Sequence, residues 1–278
     1  MWSRVSKLKR RRGPRFARAA LALVLLCALS VQAPAARLSA ETLALYALPE
    51  LRKGNVATVT DGATLVLDDG TGVRLSGIEP ILETPGGNSR WEDAARMLLE
   101  SLVVGHGISL RGPATPPDRY GRITAQLIRD DGLWIEGALL AAGAVRVEPP
   151  TNGLARFMLR HESLARRRHI GLWQSPLYEV ENPAGLDRDS GRFILVEADV
   201  RSVEERSGVI WLDLGNNAAA RLDRPARRFF MAAGLDPSSL TGRHLRLRGW
   251  VHWQGRPVLD LADPDSVEIV ARPRSRRK

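Results

Sequence analysis

Cysteine is nearly absent from this 278-residue chain; Cys27 is the only one. Leu26 precedes it, where a lipidation signal requires a small residue, so lipid attachment is not expected. With residues 1–36 set aside no cysteine remains, a disulfide framework is excluded, and stability has to come from packed cores. Acidic side chains are missing from those first 36 residues, which carry eight basic ones between Arg4 and Arg18. An apolar run follows, Ala19–Val31, broken only by Ser30, and then the small residues of Gln32-Ala33-Pro34-Ala35-Ala36. This order predicts a secretory signal peptide over 1–36, cut after Ala35 or Ala36. The run falls short of the roughly 20 residues of a spanning helix, and an uncleaved N-terminal anchor is the competing reading. The expected location is periplasmic or extracellular, with attachment to the membrane through the leader as the alternative.

The composition, 44% hydrophobic and 26% charged, is that of a globular protein. The formal charge of +10 belongs mostly to the two ends. Residues 272–278 form a basic tail with five more cationic side chains, and the body between 37 and 271 carries −3. A basic surface suited to nucleic acid is therefore not expected of the folded part as a whole.

Two β-rich segments flank a linker placed at 175–190. The first, bounded at 50–174, opens with Val56-Ala57-Thr58-Val59, an Asp61-Gly62 turn, Thr64-Leu65-Val66-Leu67, a turn at Asp68-Asp69-Gly70, and Val73 to Ile78. Short alternating runs joined by Asp-Gly turns predict a β-meander. Ala94, Ala95, Leu98, Leu99 and Leu102 line one face of a helix predicted over 89–104, which Gly105 ends. Strands are predicted near 107–110 and 122–128, and helices near 133–142 and 154–170. The second segment, 191–271, repeats the strand grammar. It has a long strand over 193–206, a turn at Ser207-Gly208, strands over 209–214 and 218–222, a short helix near 225–233, and strands over 243–253, 257–261 and 267–270. That order suits a second, smaller OB-type barrel, with a sandwich or SH3-like barrel as the alternatives. The fold class is mainly β with α (α+β).

Four stretches of the first segment resemble the staphylococcal nuclease (thermonuclease) family in order and spacing. They are Asp61-Gly62-Ala63-Thr64-Leu65, Val73-Arg74-Leu75-Ser76-Gly77-Ile78-Glu79-Pro80, Asp118-Arg119-Tyr120-Gly121-Arg122, and Glu162 with Ala165-Arg166 and Gly171-Leu172-Trp173. The resemblance implies a five-stranded OB barrel with three helices from about Gly54 to Trp173. It also implies an ancestry in calcium-assisted phosphodiester hydrolysis. Arg74 and Arg122 occupy the positions of the family's two catalytic arginines, whose planar forks match phosphate oxygens. Asp118 and Tyr120 match the loop that contacts a nucleotide phosphate and positions the second arginine.

The acidic half of the family's site is altered. Ala63 replaces a metal-binding acid, Glu79 is a carboxylate at a metal position, and Leu82 stands where the general base belongs. A shifted register over Glu83-Thr84-Pro85-Gly86 restores two oxygens but puts Gly86 at the base position. A general base contributes about 10²–10⁴-fold and a metal several kcal/mol more, so losing both removes most of the catalysis. The expectation is a degenerate nuclease domain that acts in binding or assembly, with no resident cofactor. The alternative is a calcium-dependent phosphodiesterase acting on DNA or RNA through Glu79 or Glu83. Expected partners are nucleic acid, another polyanion or an envelope protein. Trp211, Trp250 and Trp253 are candidates for base stacking. Trp250 and Trp253 lie an odd number of residues apart, so at least one is expected in the core.

Overall fold

The computed structural model describes residues 39–80, 89–188 and 191–271, leaving aside the side chains of 89, 187 and 188. The predicted leader, Leu82, Glu83 and the basic tail lie outside the described residues. Among the described residues no helix is long and apolar enough to cross a membrane.

The first segment opens with helix α1 (Ala40–Ala47), then strands β1 (Glu50–Asp61), β2 (Thr64–Leu67), β3 (Gly72–Leu75) and β4 (Ile78–Glu79). Helix α2 (Ser89–Val103), β5 (Gly107–Arg111), β6 (Ile123–Arg129), α3 (Ile135–Ala141), β7 (Arg146–Val147) and α4 (Ala155–Arg167) follow. The barrel closes in the order β1-β2-β3-β6-β5. Closure depends on the 12-residue β1, which serves two neighbours. Its first half pairs with β5, from Glu50 opposite Arg111 to Asn55 opposite Gly107, and its second half pairs with β2, from Val56 opposite Leu67. Register shifts within both pairings bend the strand around the barrel. β3 runs parallel to β6, with Arg74 opposite Thr124. Leu65, Leu75, Leu110 and Leu127 fill the interior, fully buried.

α2 turns Ala95, Leu99 and Val103 inward, with Leu98 and Leu102 at the margin. Ala94, expected on the buried face, is exposed. The helix rests on the turn after β1, where a Cβ on Gly62 would come within 2.7 Å of the Ala95 Cβ. Only glycine allows that approach. α4 stops at Arg167, three residues before the predicted end, because His169 adopts φ +50.

Residues 175–190, read as linker, carry short 3-10 turns at 176–178 and 183–188. Glu181 bridges to Val196, and Leu186 is buried in the second core.

The second barrel comprises β8 (Phe193–Asp199), β9 (Ser202–Arg206), β10 (Val209–Gly215), β11 (Ala218–Leu222), α5 (Arg224–Ala232), β12 (His244–Trp253), β13 (Pro257–Asp260) and β14 (Val267–Ile269). It forms a seven-stranded sheet in the order β14-β12-β13-β11-β10-β9 with β8 also against β12, and the run β9-β10-β11-β13-β12 follows the strand order of the first barrel. β11 and β13 are parallel, as β3 and β6 are. The long strand predicted over 193–206 is two strands. At the break Val200 N–H donates to Arg243 O and Arg201 N–H to Asp213 O, so the chain changes partner there. Trp250 and Trp253 are both exposed, 45% and 56%, against the expectation of one core residue. The pleat turns Trp250 outward, and Trp253 sits at the hairpin end of β12, beyond the packed interior.

Both barrels lie in one compact unit that begins at Glu41. A buried charge network joins them. Arg248 on β12 is fully buried and donates to both carboxylate oxygens of Glu162 on α4, at 3.1 and 3.0 Å, to Val147 O, and to Glu268 on β14 at 2.6 Å. Burial disfavours its cation, but the Glu162 and Glu268 carboxylates outweigh that and raise its pKa. Thr151 adds a hydrogen bond of 2.5 Å to Asp265 across the same contact.

Candidate functional site

Three of the sequence-predicted residues, Arg74, Glu79 and Arg122, converge on a cleft of about 190 Å³ that is also lined by Asp61, Thr64, Pro80, Glu148 and Trp250. Arg74 sits in the middle of β3, one pleat removed from the core residues Val73 and Leu75, which turns it out of the barrel. Its Nη2 donates to Ile78 O at 2.9 Å and its Nη1 to Ala63 O at 3.3 Å, so the short β3–β4 turn fixes the guanidinium against backbone. The same Nη2 lies 3.6 Å from Glu148 Oε2. Burial lowers the Arg74 pKa, with the Glu148 carboxylate opposing.

Arg122 is held by the loop before β6. Its Nε donates to Asp118 Oδ2 at 2.7 Å and its Nη1 to Thr64 Oγ1 at 3.3 Å. Asp118 Oδ1 accepts from the N–H groups of Tyr120 and Arg122, closing the loop on itself. Despite some desolvation, these bonds and the guanidinium hold the Asp118 carboxyl below its ordinary range. Tyr120 is 65% exposed, and the guanidinium groups of Arg119 and Arg122 lie 4.8 and 4.9 Å from its ring centre. Asp118 and Tyr120 therefore flank the cleft through Arg122 and do not line it.

The acidic half has a different fate. Ala63 is fully buried and belongs to the barrel core, and Asp61 Oδ1 accepts from the Ala63 N–H at 2.8 Å. Glu79 is buried against Arg146, whose Nη2 and Nε donate to its Oε2 at 2.6 and 3.2 Å. Burial raises the Glu79 pKa against the pull of that arginine. Calcium takes six to eight oxygen ligands at about 2.3–2.6 Å. Among the described residues no group of three metal-ligating acids or histidines is present, and Glu79 already serves a cation of the protein's own. These donors do not fit a calcium ion.

Sequence reasoning did not find Arg146 or Glu148, and it named Trp250 for base stacking without placing it at this cleft. Arg146 reaches into the second barrel, where its Nη1 donates to Phe193 O at 2.7 Å. Glu148 follows β7 and faces Arg74; burial, and then nearby Glu79, raise its pKa. Trp250 comes from β12 and donates from Nε1 to Glu148 Oε1 at 3.4 Å. In the sequence the only trace was the alternation of Val145-Arg146-Val147-Glu148, which reads as a short strand and does not reveal what it faces.

Residues 72–175 match the model of the staphylococcal nuclease homologue family. No curated protein matches the chain. The matched stretch runs from β3 through α4, contains both cleft arginines and contributes three of the five strands of the closed barrel, so this part of the chain is similar to the staphylococcal nuclease homologue family.

Proposed function

We propose that the chain is an exported thermonuclease-like protein whose catalytic centre is degenerate, and that it works as a binding or assembly module at the cell envelope. One observation carries this reading. The cleft keeps both phosphate-matching arginines while its surviving metal-position acid, Glu79, is spent on a buried ion pair with Arg146. The leader composition supports export, and the near-neutral body supports a role other than general nucleic-acid binding.

The second reading is a calcium-dependent phosphodiesterase with a rearranged site, and the arrangement of Arg74 and Arg122 on one cleft favours it. Incubation of the full chain with single-stranded DNA and RNA, with calcium or with chelator, separates the two. The degenerate reading expects no cleavage above buffer. Chelator-sensitive cleavage that disappears in Arg74→Ala would overturn it.

A further inference from the structure

We propose that the second barrel gates the arginine cleft, with Trp250 and Glu148 together keeping Arg74 from an incoming phosphodiester. This rests on the reading above that the cleft arginines persist as phosphate-binding groups.

Three features support the gate. First, both Nη atoms of Arg74 are engaged from within the protein. Two backbone carbonyls and the Glu148 carboxylate surround its guanidinium. A phosphate oxygen has to displace Glu148 to gain a bidentate contact. Second, Glu148 is held in that position by the other barrel, since it accepts from Trp250 Nε1. The indole is braced edge-on by Phe193, ring centres 5.9 Å apart, and Phe193 O accepts from Arg146. Arg146 in turn clasps Glu79 on the opposite wall. The two acids and two arginines are thus linked to the start of β8 and the middle of β12, so the cleft and the barrel contact open or close together. Third, the cleft lining holds the carboxylates of Asp61, Glu79 and Glu148 against the guanidinium groups of Arg74 and Arg122. Arg146 answers Glu79, while Glu148 and Asp61 sit beside Arg74 and oppose an anion arriving there.

Arg122 behaves differently. Its Nη2 has no partner among the described residues, and its partner Asp118 stands outside the cleft lining. A phosphodiester therefore meets one available arginine and one that is withheld.

The test is the affinity of the full chain for a fluorescein-labelled oligothymidylate, measured in chelator by anisotropy for wild type, Glu148→Gln, Trp250→Ala and Trp250→Phe. The gate requires Glu148→Gln and Trp250→Ala each to tighten binding about tenfold, the size of one regained charge-assisted contact. Arg74→Ala added to either variant should erase the gain. Trp250→Ala changes no charge, so its gain separates a gate from simple removal of an acid. Trp250→Phe keeps the bulk without the N–H donor and should give an intermediate gain. Thermal melting checks that each variant keeps the fold, and Trp250→Phe, which also changes no charge, decides if Trp250→Ala does not. Unchanged affinity in Glu148→Gln or in a folded Trp250 variant, or a gain that survives Arg74→Ala, overturns the gate. Neither result touches the degenerate reading, which falls only to calcium-dependent cleavage by the wild type.

Discussion

The two barrels share one strand order and differ in where they bury polarity. The first places Thr64, Ser76, Glu79, Gln126, Glu136, Arg146, Thr151 and Glu162 out of solvent, while the second buries only Arg248 and Ser266 among the described residues. Most of the first set is held by specific partners. Gln126 bridges Ser76 O and the Trp134 indole, and both carboxylate oxygens of Glu136 accept from Leu127 N–H. The second barrel is an apolar core whose single buried cation points at its neighbour. The same topology thus serves as a scaffold for buried chemistry in one case and as a wall in the other. Polar burial is costly unless paired, so it accumulates where a site or an interface has to be specified.

The largest expected effect comes from breaking the fully buried ion pair among the contacts that join the two segments. Arg248→Ala leaves Glu162 buried without its main partner and should cost about 3–5 kcal/mol in urea unfolding. Replacing Arg248 by Met together with Glu162 by Leu should recover most of that loss. A double replacement no better than Arg248→Ala would mean that the network contributes through more than charge pairing.

A more gradual effect, spread over the pH range, sharpens the contrast between the cores. Burial pushes the Glu136 carboxyl up to about 8 in the folded protein, against 4.5 for an ordinary glutamate. A folded pKa above the unfolded one means the native state holds the extra proton between those values. Its stabilising effect is complete below about pH 4.5 and is lost as pH rises through 8. Stability of the wild type should therefore fall across that window by on the order of 1 kcal/mol per pH unit. Glu136→Gln should flatten the slope. Denaturant midpoints at pH 5, 7 and 9 check it, and parallel slopes in the two proteins would refute the assignment.

The smallest effect is confined to the second barrel. Asp223 caps α5 by accepting from Ala226 N–H at 2.8 Å, and Asp223→Ala should cost about 1 kcal/mol without altering the cleft. Oligonucleotide affinity should stay at the wild-type value in that variant. A change there would show that α5 communicates with the cleft.

Much of the first barrel was legible because its signals are local. Asp61-Gly62 specifies a turn, Thr64 to Leu67 is a short apolar run of β-formers, and Asp118 closes its own loop onto Tyr120 and Arg122. The strand at 193–206 was less legible, because its break at Val200-Arg201 answers to partners at Asp213 and Arg243 rather than to a glycine or proline. The same holds for the cleft. Arg74 and Arg122 announced themselves through motifs, whereas Glu148 and Trp250 carry no motif and matter through what they face.

The sequence by itself determined the two strand grammars, the placement of four of the five described helices (Ala40–Ala47 was not read), the phosphate-matching arginines and the loss of the acid at Ala63. Each depends on neighbours within a few residues, where backbone geometry and pleat period leave few choices. Only the tertiary structure decided the state of the charges. Leu245-Arg246-Leu247-Arg248 reads as a strand with its arginines toward solvent, yet the outward face of β12 meets α4 and Arg248 is sealed against Glu162. Alternation says which side of a sheet a residue occupies. Whether that side meets water or another barrel depends on long-range packing, and this in turn decides whether a charge is solvated, paired or withheld.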